Sequence, residues 1–230
     1  MNCKFIGTGG ALDYQFGNAS MIIDLPTRVL VDCGPSIYPK LMEKNLLETF
    51  DYLLLTHLHG DHVGSIFQVL HARKKNGQGA LKILIPKPSF ANEVKLFLDS
   101  IGTDSSLYEL TSTSTVPGIE AIETTDKHTI GTTSFAYIFR FKKEVVYYSG
   151  DLGDIKVTLK TIESEDPKTL TIFHDLCFQK IEVHVFYKDL ETLVKNYRVY
   201  GYHCNPKTAP SDNIIPLVQN QAEFLIESTQ

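Results

Sequence analysis

Thr56-His57-Leu58-His59-Gly60-Asp61-His62-Val63-Gly64 is the stretch on which the reading of this chain turns. Three of the eight histidines fall at positions 57, 59 and 62, with Asp61 among them. A lone histidine is more often a satisfied structural residue than a ligand. Three of them with a carboxylate, directly after the apolar run Asp51-Tyr52-Leu53-Leu54-Leu55, reverse that expectation. Imidazole and carboxylate are the donors that zinc and related divalent ions accept. On an extended segment His57 and His59 point to one side, because side chains alternate with period two. Asp61 and His62 lie where the chain turns into a helix and can diverge toward a second ion, and Gly60 is expected to permit the sharp turn. One short run thus offers two ligands to each of two metals.

Outward from that run, short apolar stretches read as strands over 2–6, 20–24, 28–32, 51–55, 81–85, 119–123, 132–140, 144–149, 170–173 and 199–202. Leu25-Pro26-Thr27 punctuates the second and third like a hairpin turn. Helical spacing is read over 37–47, with Pro39 in its first turn, and over 63–72, 89–98 and 187–195. Residues 112–118 form a polar connection. Strands cluster in each half with helices between them, which predicts an α/β fold of two packed sheets flanked by helices. No linker divides the chain, so residues 1–230 are expected to form a single domain.

The formal net charge of -5 argues against a broad grip on long nucleic acid, but not against a small phosphorylated ligand held at a metal. No run approaches a membrane span, and the opening Met1-Asn2-Cys3-Lys4-Phe5-Ile6 enters a strand pattern without an export signal. Cys3, Cys33, Cys177 and Cys204 have no CxxC spacing and are expected to be reduced, buried thiols of a cytoplasmic protein.

The run from Thr56 to Gly64 resembles the HxHxDH signature of the metallo-β-lactamase superfamily, whose fold is a four-layer αββα sandwich. Val31-Asp32-Cys33-Gly34 is similar to the DCG that ends an early strand there. His128 matches the third histidine of the first metal, Asp151 in Tyr148-Ser149-Gly150-Asp151 the aspartate that bridges both, and His203 the last ligand; taken alone, His128 could be a surface histidine and Asp151 a helix cap before Ile155. The resemblance implies two divalent ions, zinc foremost with manganese or iron as other occupants. The implied sites are His57, His59, His128 and Asp151, and Asp61, His62, His203 and Asp151. His71 fits no role and is read as an ordinary helix residue.

Phe173-His174-Asp175 and Val183-His184-Val185 resemble, in order and spacing, a pair found in the ribonuclease Z-like branch. What the resemblance implies is that His184 contacts the scissile phosphate and protonates the leaving oxygen, with Asp175 orienting it, while Asp61 serves the nucleophile. The alternative is that the pair is structural. Members that process tRNA carry an arm between the third histidine and the bridging aspartate, whereas here only residues 129–150 lie between them. The acidic balance also lacks the basic footprint of a tRNA binder. The compact size, Gly17-Asn18-Ala19-Ser20 and the His-Asp…Val-His tail look similar to cyclic-mononucleotide phosphodiesterases, including anti-Pycsar enzymes. That likeness implies a cyclic nucleotide substrate and a homodimer in which loops of one protomer complete the pocket of the other. A lactonase or thioesterase would use the same metals, and a tRNA 3′-processing nuclease or a non-catalytic binder of this fold are further alternatives. Tyr14, Phe16 and Phe90 are aromatic candidates for stacking on a base, against the commoner core or surface role. Gly7-Thr8-Gly9-Gly10 lacks P-loop spacing and is read as a tight turn.

Overall fold

In the computed structural model, which describes residues 1–13 and 15–226, the strands assemble into two sheets. The first orders β1 (Asn2–Gly7), β2 (Ser20–Asp24), β3 (Arg28–Val31), β4 (Tyr52–Leu54), β5 (Leu81–Ile85) and β6 (Tyr108–Ser112) side by side. Its first three strands pair antiparallel, with Leu25 N–H bonded to Thr27 O at 3.0 Å in the expected hairpin, and its last four run parallel. The second sheet orders β11 (Arg198–Tyr202), β10 (Leu170–Asp175), β9 (Glu144–Tyr148), β8 (Phe135–Phe141) and β7 (Ile119–Glu123). Here β9, β10 and β11 are parallel and β7, β8 and β9 antiparallel.

Alternation along β8 shows how the layers are built. Phe135, Tyr137 and Phe139 join Phe5, Met21, Tyr148, Phe173 and Tyr202 in the core between the sheets. Ala136 and Ile138 face the other way, into a second cluster with Ile162 of α5 (Ile155–Ile162) and Leu190 and Leu193 of α6 (Tyr187–Val194). The other flank is covered by α1 (Ile37–Glu43), α3 (Ile66–Lys75) and α4 (Pro88–Ser100), whose buried residues include Leu41, Val69 and Val94. Strands buried on both faces have no polar side to show, so they read as continuous apolar runs. The four-layer αββα expectation is met.

Several boundaries differ from the expectation. The helix expected over 37–47 ends at Glu43, because Asn45 turns left-handed (φ 54°). β6 and the short α5 fall outside the expected elements: β6 forms by pairing with β5, and α5 lays Ile155 and Ile162 on the second sheet. The N-cap of α5 is Asp154, which accepts from Lys156 N–H at 3.0 Å, leaving Asp151 free for another role. Between residues 129 and 150 there is only the β8–β9 hairpin. Cys3, Cys33 and Cys204 are buried free thiols whose pKa burial pushes up to about 12, while Cys177 is half-buried. Among the described residues no helix is long and apolar enough to cross a membrane.

Candidate metal centre

The carboxyl ends of β3, β4, β9, β10 and β11 open onto one edge of the sandwich, and the chemistry gathers there. Loops beyond parallel strand ends are the usual ligand site of such sheets. The segment after β4 carries His57 and His59, and α2 (Gly60–Val63) carries Asp61 and His62. His128 precedes β8, Asp151 follows β9, and His203 follows β11. The expected role of Gly60 is not needed: a Cβ there would meet open space, and it simply begins α2. The tight approach is at Gly34, where a Cβ would lie 1.8 Å from Asp61 O.

Two groups of donors converge. His57, His59 and His128 form one, and Asp61, His62, Asp151 and His203 the other, with ligand atoms within 4.8 Å of one another in each. Asp151 Oδ2 stands between them, 3.4 Å from both His62 Nε2 and His203 Nε2 and 3.8 Å from His128 Nε2. His59 Nδ1 faces His128 Nε2 across 3.1 Å. All seven residues of the expected ligand set therefore meet at one place. Three of their atoms, His57 Nε2, His62 Nε2 and Asp151 Oδ1, are buried without a hydrogen-bond partner. Orphaned buried polar atoms are rare in folded proteins, and here they converge as a cation would need them.

The outer ring nitrogens explain why the inner ones are free. His62 Nδ1–H donates to Asp32 Oδ2 at 2.8 Å. Thr56 Oγ1 lies 2.8 Å from the same oxygen and 2.9 Å from His57 Nδ1. A carboxylate only accepts, so the hydroxyl donates to Asp32 and accepts from His57 Nδ1–H. His128 Nδ1–H donates to Val183 O at 2.7 Å. In each ring the proton is held on Nδ1 and the Nε2 lone pair is turned inward. Asp32 thus sets two imidazoles at once, a role the DCG resemblance did not assign. A buried aspartate ending an apolar strand was the available signal, since such a charge needs partners.

Backbone strain accompanies the site. Asp32 (φ 59°) and His203 (φ 62°) both occupy the left-handed region, which costs a non-glycine residue about 1–3 kcal/mol unless the surroundings hold it there. His203 N–H is tied to Thr8 O at 2.8 Å, and Gly10 leaves room for its ring. The glycine-rich segment itself is extended, with Gly7 ending β1 and Gly9 bridging to Asn18, so the expected tight turn falls just after it, where Asp13 N–H bonds Gly10 O at 3.1 Å.

The electrostatics suit cations. Burial and the neighbouring imidazoles hold His57 well below the usual imidazole range, and burial with His128 lowers His59. Burial opposes charge on Asp61 and Asp151, but His62 and His203 outweigh it and hold both carboxyls below their usual range. Burial likewise opposes charge on His62, yet Asp151 and Asp32 raise it well above the ordinary value. Neutral rings and ionised carboxylates are the forms that coordinate, and His62 must release a proton to join them.

At the rim, His184 Nδ1–H donates to Asp175 Oδ2 at 2.8 Å. His184, His128 and Asp151 have ligand-type atoms within 4.8 Å of one another, and the His184 ring lies 4.8 Å from that of His203. Burial lowers His184, but the hydrogen bond and charge of Asp175 more than compensate and raise its pKa to about 9. His71 is exposed on α3 and bonds only Phe67 O, as its reading as an ordinary helix residue requires. Phe90 is core, packed edge-on against Phe135. Phe16 lines a cavity of about 380 Å³ that also includes Lys40 and Gln219 and none of these histidines. Tyr14 lies outside the described residues.

The sheet order and a strand-end cluster of histidine and aspartate define a protein of the metallo-β-lactamase fold. The crystal structure of the metallo-β-lactamase fold protein YhfI from Bacillus subtilis superposes with a TM-score of 0.70 at 18% identity, covering 88% of this chain and 85% of that one. Human tRNase Z, short form, gives a TM-score of 0.66 at 17% identity over 91% of this chain and 95% of that one. The family profile described as anti-Pycsar protein Apyc1 matches residues 1–225, and the chain belongs to that family. The anti-Pycsar protein Apyc1 of Paenibacillus harenae is 24% identical over 208 residues, 84% of each chain. That of Bacillus phage vB_BveM-Goe7 is 33% identical over 87 residues, 36% of this chain and 34% of the relative, so this match spans about a third of the relative's length. The fold and the cluster are compatible with divalent-metal binding, and with the family they support a metal-dependent hydrolase.

Proposed function

We propose that the protein is a dinuclear phosphodiesterase that opens 3′,5′-cyclic mononucleotides, cyclic CMP and cyclic UMP foremost, to nucleoside monophosphates. The observation that carries this reading is the Asp175–His184 pair, a 2.8 Å hydrogen bond that sets a protonated imidazole beside the histidine–aspartate cluster. A thioester expels a thiolate that needs no such acid, whereas a ribose oxygen leaves as a poor alkoxide that does. Membership of the anti-Pycsar protein Apyc1 family supports the same substrate class.

His57, His59, His128 and Asp151 would hold one ion, and Asp61, His62, His203 and Asp151 the other, with zinc best suited to this nitrogen-rich set. When bound, such ions supply Lewis acidity, lowering the pKa of water toward about 7 and neutralising phosphate charge. Asp61, kept ionised by its histidine neighbours, would orient the attacking water and accept its proton. As the new P–O bond forms and the bond to the ribose oxygen breaks, His184 delivers its proton to the leaving oxygen. Asp175 keeps that imidazole charged and aimed. The protein is further read as a cytoplasmic homodimer. Leu12 and Ile130, 93% and 91% exposed on loops that lead from Gly10 and His128, offer apolar tips to a second copy.

Metal-free protein titrated with zinc or manganese should take up two ions per chain. Asp61→Asn should fold and keep the ion near His57 while losing about 10²–10⁴-fold in cyclic nucleotide turnover, the span a positioned acid or base contributes. Full turnover in metal-loaded Asp61→Asn would remove Asp61 from the reaction.

A further inference from the structure

Behind the rim pair, a buried polar chain runs through the apolar layer between the second sheet and its helices. Tyr147 OH on β9 lies 3.0 Å from Thr158 Oγ1 on α5, which lies 2.8 Å from His174 Nε2 on β10. His174 Nδ1 lies 2.7 Å from Asp175 O and 3.1 Å from Asp175 Oδ1. Tyr147, Thr158, His174 and Asp175 are all fully buried. His174 belongs to neither group of candidate ligands.

The chain has one direction. A carbonyl oxygen only accepts, so His174 Nδ1 carries the proton and Nε2 is left as an acceptor. Thr158 must then donate to His174 Nε2, and with its single proton committed it accepts from Tyr147 O–H. Polar groups in an apolar layer are costly unless every one is satisfied, and here each is. The last N–H of the chain donates to Asp175 O at 2.7 Å, with Oδ1 of the same residue 3.1 Å from His174 Nδ1. The Asp175 carboxylate has other neighbours as well: Leu152 N–H donates to Oδ2 at 3.2 Å and the Ser149 hydroxyl to Oδ1 at 3.3 Å, while the Asp175 N–H donates to Ser149 Oγ at 2.9 Å.

We propose that His174, locked by Thr158 and Tyr147, is a positioning residue that fixes the Asp175 carboxylate and, through it, aims His184 at the leaving oxygen. This rests on the phosphodiesterase reading above. It also gives α5 a part in the reaction, since Thr158 couples that helix to the rim.

The test uses full-length, metal-loaded protein and two substrates. Cyclic UMP expels a ribose oxygen that needs a proton, whereas bis(p-nitrophenyl) phosphate expels a phenolate that does not. Asparagine places an N–H where imidazole Nδ1 lies, and glutamine places one where Nε2 lies. His174→Gln and Thr158→Val should each lower the ratio of cyclic UMP to bis(p-nitrophenyl) phosphate turnover about tenfold, part of the ~10²–10⁴ a positioned acid supplies. The loss should fall on kcat rather than KM, with ion content unchanged, and His174→Asn and Thr158→Ser should restore the ratio. An unchanged ratio, an equal fall on both substrates, or no rescue by asparagine and serine would overturn the positioning role while leaving the phosphodiesterase reading intact. A wild-type protein inert toward both diesters would overturn the two together.

Discussion

Asp32 and Asp175 are both fully buried, and each ties down imidazole rings, yet the two regions they govern face different ways. Asp32, under the first sheet's contribution to the site, holds His62 directly and His57 through Thr56. Both rings turn an unpartnered, buried Nε2 inward. Asp175, at the end of β10, holds His184 by the same kind of bond, but that side chain is 17% exposed at the mouth of the site. Burial pushes the Asp32 carboxyl up, with His62 and Thr56 pulling it back, whereas the imidazoles around Asp175 overcome burial and keep its carboxyl below the usual range. A carboxylate–imidazole pair is therefore neither a ligand device nor an acid device in itself. What faces the free nitrogen decides: other donors make it a ligand, and the open mouth makes it a proton source.

That contrast can be broken in order of expected effect. His184→Ala should slow cyclic nucleotide hydrolysis about 10²–10⁴-fold with both ions retained, as measured by turnover and ion content on the same sample. Loss of metal in this variant would move His184 from the rim to the ligand set. Asp32→Ala should do the reverse, weakening metal affinity about 10–100-fold, with turnover recovered at excess metal. An Asp32→Ala protein that binds metal normally yet is inactive would erase the distinction. The smallest change is a shift in pH. His184 has a raised pKa of about 9, so it is protonated below that value and loses its proton as pH rises through it. Rates on substrates that need the acid should fall on the alkaline side, and bound cations, which repel the proton, move that limb below 9. Asp175→Asn removes the charge that raises the pKa, so the limb should move to lower pH still, and an unmoved limb would assign it to another group.

The two regions also differ in how plainly they stand in the sequence. His57, His59, Asp61 and His62 are contiguous and follow a doubly buried strand, so local spacing alone marks them. His128, Asp151 and His203 are dispersed across the second half, and their meaning depends on strands β8, β9 and β11 ending at one edge. Resemblance supplied that order, and the structure brings the residues together. Asp32 was visible only as part of Val31-Asp32-Cys33-Gly34, because its partners, Thr56 and His62, lie more than twenty residues away. α5 reads poorly since Val157, Thr158 and Thr161 are β-branched, which disfavours a helix locally, and its Asp154 cap and packing on the second sheet override that preference. β6 is a polar edge strand in which only Tyr108 is buried and Leu110 half-buried, too short an alternation to stand out. The chain between His174 and Tyr147 could not be seen at all, because it joins three elements through side chains.

The most direct test is the fate of 3′,5′-cyclic CMP and cyclic UMP incubated with zinc- or manganese-loaded protein in oxygen-18 water. The phosphodiesterase reading predicts nucleoside monophosphates carrying one heavy oxygen on phosphorus, formed about 10²–10⁴-fold more slowly by Asp61→Asn. Intact cyclic nucleotides alongside an opened homoserine lactone would contradict it, keeping the metal centre but assigning the cluster to ester chemistry.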